Sequence, residues 1–350
     1  MRKDLNLKID SQGQTNMTSF SKIKFSQCGF VKGEEDKKVA VIGAGPAGLS
    51  AAANLRCVGY RVDIFDKMPE PGGMLVFAIP EFRLPKKSVF ESIRDVEKMG
   101  VGFFLETEVG RNLRLAELLE DYNAVLVSTG TWRDKKLNIR GEDKRNVFYA
   151  LSWIHTYMSY LLGYSNRAPA ELRGKVGIIG AGLTAVDIAE LAALEYNAEP
   201  VILYRRPKTL APARHLVKHL ESLGVTFIEN VEPIEIIGES SIGGIRLARV
   251  KPTTSRSEKT EIIPGTEFEL ELDTLVIAIG MEPTPPPCLR QIGAELNHDG
   301  SVKISENYMT TLRGLFAAGD VAHGPSNIGL AIRSGKIAAQ KIAEWLRRNS

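Results

Sequence analysis

A glycine-rich turn set between an apolar run and a small-residue run occurs twice in this chain, and no other feature restricts its fold as tightly. In the first copy, VAVIGAGPAGLSAAANLRCVGYRVDIFDK (39–67), Gly43, Gly45 and Gly48 form G-x-G-x-x-G, and the second apolar run ends on Asp66. The order predicts strand, tight turn, helix and parallel strand, the unit of a doubly wound α/β sheet. Gly43 permits the turn, Gly45 lets a pyrophosphate approach the backbone, and Gly48 lets the helix pack close to the sheet. The helix N-terminus offers free N–H groups and partial positive charge to phosphates. Asp66 is placed to accept from a ribose hydroxyl. The bland alternative is an ordinary glycine-rich turn. Strand, helix, second strand and terminal acid are all in register, which favours a dinucleotide site.

The second copy is KVGIIGAGLTAVDIAELAALEYNAEPVILYRRPKTLAPAR (175–214), with Gly180, Gly182 and Ala185 as G-x-G-x-x-A and Leu183 and Thr184 opening its helix. Its second strand ends not on an acid but on Tyr204, Arg205 and Arg206. Two guanidiniums there suit a 2′-phosphate, at roughly 1.5–3 kcal/mol per charged hydrogen bond, and predict NADPH over NADH. The alternative is an exposed basic edge.

Residues 1–38 are polar, with short apolar pieces around Phe20 to Phe25 and Phe30 to Val31. They are expected to form an arm, either a loose lead-in or a contact to a second subunit in an oligomer. In 68–87, Pro69, Pro71, Gly72, Gly73, Pro80 and Pro85 predict a structured loop without a regular element. Gly73 to Leu75 bring backbone near the first site. Arg83 and Lys86 are cations close to it, or merely surface charges. A helix is expected from Lys87 to Lys98, a strand in VGFFLETEV (101–109), a helix in LRLAELLEDY (113–122), and a buried strand ending at Thr129 and Gly130. The aromatic stretch Ser152 to Tyr164 reads as a helix, serving as core or as a substrate pocket. Antiparallel ribbon strands follow the second copy, and another strand ends at Gly280. The chain closes with a strand ending at Gly319 and Asp320, then a long helix beginning near Asn327. Asp320 suits polyol hydroxyls, or else caps the helix. The duplication predicts two nucleotide domains, 39–145 with 292–350, and 146–291.

With 350 residues, 43% hydrophobic and 25% charged, the chain is long enough for both domains. A net charge of +3 argues against nucleic acid as the main partner. Cys28, Cys57 and Cys288 include no C-x-x-C, so no metal site, iron–sulfur cluster or redox dithiol is read from them, and three inert thiols suit a reducing cytoplasm. No membrane-length apolar run and no signal-peptide pattern is found.

Together these residues resemble the two-dinucleotide-binding flavoprotein superfamily, pyridine nucleotide-disulfide reductase-like in fold. Within it they resemble most the small (β) subunit of glutamate synthase and its relatives, the flavoprotein part of dihydropyrimidine dehydrogenase and the NADPH-binding subunit of electron-bifurcating transhydrogenase. The segment PGGMLVFAIPEFRLPKK (71–87) is close to that group's P-G-G-x-L-x-Y/F-G-I-P-x-F/Y-R-L-P-K, with Ala78 where glycine is usual. TEVGRNL, TGTWRDKKLNIRGED, GAGLTAVDIA, LYRRPKTLAPA and GLFAAGDVAHGP match as well.

The resemblance implies FAD at Gly43, Gly45, Pro46, Ala47, Gly48, Asp66 and Lys67, at Gly73, Met74, Leu75 and Arg83, and at Val109, Thr129, Gly130, Gly319, Asp320 and Ile328. It implies NADPH at Gly180, Gly182, Leu183, Thr184, Ala185, Arg205 and Arg206, with Gly280 nearby. The implied reaction passes hydride from NADPH to flavin N5, with electrons going on to an iron–sulfur acceptor, a ferredoxin or a larger subunit. No catalytic side chain is expected. Those relatives carry an N-terminal domain with two 4Fe–4S clusters; residues 1–38 hold only Cys28, so no cluster is expected here. Two rival readings are a thioredoxin-reductase-type dithiol enzyme, which needs a cysteine pair, and a non-catalytic assembly subunit.

Overall fold

Two five-stranded parallel sheets with the same internal order organise the protein, seen in a computed structural model that describes residues 22–28 and 36–349. The first runs Leu315–Ala317, Ala124–Val127, Lys38–Ile42, Arg61–Phe65, Gly102–Phe104. The second runs Val147–Tyr149, Thr274–Ile277, Lys175–Ile179, Glu199–Tyr204, Thr226–Glu229. In both, the strand before the glycine turn is central, with Ile42 beside Phe65 and Val127, and Ile179 beside Leu203 and Ile277. These strands read as unbroken apolar runs because both faces are covered, as parallel sheets require. The turn-proximal helices are Pro46–Cys57 and Leu183–Leu194. The closing helix Ile328–Arg348 buries one face, including Ala331, Ala338, Ile342 and Leu346, at the three-to-four spacing of an amphipathic helix.

The chain crosses between the sheets twice, and Arg133–Asp134 pairs antiparallel with Met281–Glu282 at the crossing. Leu137 and Ile139, expected in the first domain, pack against the second sheet's core. Leu289, expected in the second, packs into the first. Three antiparallel strands, Val231–Ile237, Gly244–Arg249 and Phe268–Glu271, form the ribbon of the second unit.

Three expectations change. The segment 68–87 contains the helical turn Met74–Phe77, because Pro71 and Pro80 flank it rather than interrupt it, and Lys86 and Lys87 already open the next helix. The strand expected over 101–109 stops at Phe104, and Glu106 takes a φ of 53°, which no strand admits. The cysteines are not all free thiols: Cys28 and Cys57 form a disulfide, Cα atoms 6.0 Å apart. The pair lies 29 residues apart in sequence and meets because residues 22–28 fold back over the first helix. Phe25 is buried in the core there, and its carbonyl accepts from Ser50 Oγ and Asn54 Nδ2, both at 3.0 Å. Two of the three cysteines are thus not the inert thiols expected of a reducing compartment, and a cysteine pair exists where none was expected. Phe20, Phe30 and Val31 lie outside the described residues. Among the described residues, no helix is long and apolar enough to cross a membrane.

Candidate functional site

At the first glycine turn, backbone meets backbone. A Cβ on Gly48 would stand 1.9 Å from the Gly43 carbonyl oxygen, and one on Gly43, whose φ is +107°, 2.6 Å from the Ser128 carbonyl oxygen. At Gly45 a Cβ would meet nothing within 4 Å, so space lies open where a ligand would approach. The helix Pro46–Cys57 has no side-chain cap, which leaves its first-turn N–H groups for another acceptor. At the neighbouring strand end, Asp66 accepts from the N–H of Ala44 through Oδ2 and from that of Met68 through Oδ1 at 2.8 Å. A carboxylate has about four lone-pair positions, so acceptor capacity remains toward the cavity. Burial pushes its carboxyl above the usual range, opposed by the two N–H groups.

In front of this turn lies a cavity of about 820 Å³. Most of the expected flavin residues line it: Gly43, Gly45, Pro46, Ala47, Asp66, Lys67, Gly73, Met74, Leu75, Arg83, Val109, Thr129, Gly130, Asp320 and Ile328. Gly48 and Gly319 stand behind the lining as packing positions; a Cβ on Gly319 would meet the Ala47 Cβ at 2.6 Å. Asp320 does not cap the long helix. That cap is Asn327, whose Oδ1 accepts from Leu330 N at 3.0 Å, while Asp320 accepts from the Ser326 hydroxyl. Burial raises the Asp320 carboxyl as well.

Arg83 lines the cavity, but its side chain is engaged across the seam: Nε donates to Asp187 and Nη2 reaches Glu190 Oε2 at 3.4 Å. Lys86 is not a surface charge; it is buried, donates to the Leu84 carbonyl, and burial lowers its amine to about 8. The aromatic helix, observed at Ala150–Leu161, is mostly core, with Trp153 stacked on Tyr157, although Leu151 reaches the cavity wall.

The second turn repeats the first. A Cβ on Gly180 would stand 2.3 Å from the Ala278 carbonyl oxygen, Gly182 faces open space, and the helix Leu183–Leu194 lacks a side-chain cap. Only Leu183 and Thr184 of the expected coenzyme residues reach the shared cavity. Ala185 is buried packing. The arginine pair divides: Arg205 is exposed, whereas Arg206 is 8% exposed and donates through Nη2 to the carbonyls of Arg256 and Glu258, each at 2.9 Å. Its Nε has no partner among the described residues.

Several lining residues were not anticipated: Thr131, Trp132, Asp187, His215 and the run Thr284 to Pro287. The hydroxyl of Thr131 is fully buried, lines the cavity and lacks a partner among the described residues, so it fits a polar group of a bound cofactor. Thr284 ties the crossings together, its carbonyl accepting from Thr129 Oγ1 at 2.8 Å and its N–H donating to the Gly130 carbonyl at 3.0 Å. Its only sequence signal was proximity to Gly280.

A family model described as pyridine nucleotide-disulphide oxidoreductase matches residues 37–335. The glutamate synthase (NADPH) small chain of Halomonas elongata is 37% identical over 324 residues, covering 89% of this chain and 68% of that one. The corresponding small chain of Escherichia coli is 33% identical, covering 89% and 69%. The NADPH-Fe(3+) oxidoreductase subunit beta of Geobacter sulfurreducens is 30% identical, covering 90% and 51%. In structure, Mycobacterium tuberculosis FprA in complex with NADPH superposes with a TM-score of 0.76 at 20% identity, covering 90% of this chain and 85% of that one. The thioredoxin reductase of T. acidophilum gives 0.64 at 22% identity, covering 90% and 100%. At such identities the structures speak to fold alone.

Proposed function

The chain belongs to the pyridine nucleotide-disulphide oxidoreductase family, and from that premise we propose that it holds FAD at the first glycine turn and takes NADPH at the second, passing electrons to an iron–sulfur protein or partner subunit. The observation that carries this reading is a pair of uncapped, glycine-turn helix starts, one from each sheet, opening on or beside one cavity of about 820 Å³. FAD held there would supply the redox chemistry, hydride acceptance at N5 and electron release to the acceptor.

The protein's part is binding and orientation. The first-turn N–H groups at Pro46–Cys57 take the pyrophosphate and Asp66 the ribose, while Thr131 and Asp320 supply further polar contacts. Leu183 and Thr184 open the helix that takes the coenzyme phosphates, and Arg205, exposed beside it in the strand-end position, takes the 2′-phosphate. Trp132 and Pro285 to Pro287 wall the cavity and exclude water. The similarity to glutamate synthase small chains and to an NADPH-Fe(3+) oxidoreductase subunit supports a partner subunit as the electron acceptor.

The disulfide lends no support to a dithiol reductase. Cys57 closes the helix whose other end faces the cavity, roughly 16 Å away at 1.5 Å per residue. The test is to mix purified holoprotein with NADPH in the absence of oxygen and follow the flavin's visible absorption. Bleaching that is faster with NADPH than with NADH is expected; a holoprotein that neither coenzyme bleaches would favour an assembly subunit.

A further inference from the structure

We propose that Arg83 is a positioning residue: lodged between Asp187 and Glu190, it latches the second nucleotide unit to the first and so sets where the coenzyme-binding helix stands against the cavity. The inference rests on the reading that coenzyme at the second unit reduces flavin in the first.

Arg83 belongs to the stretch between the helical turn Met74–Phe77 and the helix Lys86–Glu97. That stretch is fixed before the side chain does anything: Arg83 N and Leu84 N both donate to the Pro80 carbonyl, and Lys86 N donates to Glu81 Oε2 at 2.9 Å. Its guanidinium then reaches into the other unit. Asp187 and Glu190 lie three residues apart on Leu183–Leu194, hence on one helical face, with side chains only 5% and 9% exposed. Glu190 is also held from its own unit, by His219 Nε2. Asp187 has Arg83 as its one ion-pair partner among the described residues.

A buried carboxylate deprived of its cation is costly, so these acids draw the seam shut only while Arg83 is present. The geometry matters because Asp187 stands one turn beyond Leu183 and Thr184, where the coenzyme phosphates approach. A latch at that turn fixes the distance between the two sites. Other contacts hold the seam as well: Ala78 packs into the second unit's core, Phe77 rests on His155, and Thr284 bonds to Thr129 and Gly130. Losing Arg83 therefore loosens the seam without unfolding either unit. The guanidinium is spent on two carboxylates, which distinguishes this role from the cofactor contact that the family resemblance implies for Arg83.

Arg83→Met tests the latch by three readouts: flavin content of the purified protein, hydrogen exchange of the ligand-free chain over 79–85 and 183–194, and single-turnover bleaching by saturating NADPH. Expected are wild-type flavin content, on the order of tenfold less exchange protection in both segments, and bleaching slowed on the order of tenfold or more. Adding Asp187→Asn and Glu190→Gln leaves no buried carboxylate facing the methionine, and should restore protection and most of the rate. A colourless Arg83→Met protein that the added substitutions do not rescue would overturn the proposal in favour of a cofactor ligand. Wild-type exchange and bleaching in Arg83→Met would overturn it outright. If that variant does not fold, Arg83→Lys, which keeps charge but loses the fork, should show the same changes in weaker form. Failure of the wild-type protein to bleach would sink the functional reading instead, and the exchange comparison would still decide whether the latch exists.

Discussion

The two nucleotide units share sheet order, turn geometry and an uncapped helix start, yet one is enclosed and the other open. Over the first turn, Gly73 comes so close that its Cβ would stand 2.9 Å from Gly45 Cα. The closing helix presses on the same place at Gly335, where a Cβ would lie 2.0 Å from the Ala47 carbonyl oxygen. The second turn is covered more loosely: Ala213 N donates to the Ala181 carbonyl at 3.3 Å, but Gly182 faces open space, Leu183 is 47% exposed and Arg205 faces solvent. The difference teaches that the glycine turn sets the kind of ligand, while its surroundings set whether that ligand stays. Enclosure suits a resident cofactor, and openness suits a coenzyme that must leave each cycle.

The comparison is most easily broken at the glycines. Gly48→Ala places a methyl against a backbone carbonyl that has nowhere to go, and should cost about 3 kcal/mol or more and yield protein without flavin. Gly182→Val meets open space, so it should fold and stay yellow while NADPH binding is lost. Visible absorption and coenzyme titration of the two proteins check this. A yellow Gly48→Ala protein would show that the first turn is not the flavin cradle.

The next effect concerns the staple, which among the described residues only the first unit carries. Cross-linking across 29 residues contributes about 3.6 kcal/mol in the chain-entropy picture. Reduction, or Cys57→Ser, should lower the denaturation midpoint by a corresponding amount and leave NADPH titration unchanged. A matching loss of coenzyme affinity would mean that the units are coupled through the first helix.

A smaller effect separates the two arginines. Arg205→Ala should raise KM for NADPH by about one to two powers of ten, at roughly 1.5–3 kcal/mol for a charged hydrogen bond, and barely change KM for NADH. Arg206→Ala removes the donor that holds the carbonyls of Arg256 and Glu258, so it should weaken both coenzymes alike. Steady-state kinetics with each coenzyme separates these outcomes. Equal penalties from Arg205→Ala on both would remove the 2′-phosphate assignment.

Sequence alone made the two units legible because their constraints are local: a glycine without room for Cβ, an apolar strand covered on both faces, an acid or a base at a strand end. Residues that act across the chain were not legible. Arg206 and Arg205 are neighbours in sequence and differ only because the stretch near Arg256, some fifty residues on, takes one of them. Cys28 meets Cys57 through a fold-back that has no periodic signature. Asp187 reads as one more residue of a fingerprint helix until Arg83 is brought against it from the other unit. Thr131 sits beside the anticipated Thr129 and Gly130, and only burial without a partner marks it out.

The seam between the units should also carry the weakest signal, a dependence on pH. Burial lifts the Asp187 carboxyl from its ordinary 3.8 to about 7, against the pull of Arg83. Burial lowers Lys86 from 10.5 to about 8. Glu81 and Arg83 face this cluster from the first unit, and Glu190, His215 and His219 from the second. For Asp187 the folded value exceeds the unfolded one, so its contribution to stability is complete below 3.8 and is lost as pH rises through about 7. For Lys86 the folded value is the lower, so the penalty of burying its charge is present below about 8 and relieved as pH rises toward 10.5. Between about pH 3.8 and 7 the Asp187 contribution is lost while Lys86 has yet to titrate, so wild-type Tm should fall more steeply than that of Asp187→Asn. Asp66 and Asp320 shift in the same direction, but they are common to both proteins and cancel in the difference. Parallel Tm profiles would mean that Arg83 holds Asp187 fully ionised, which would make the latch stronger at neutral pH than its burial suggests.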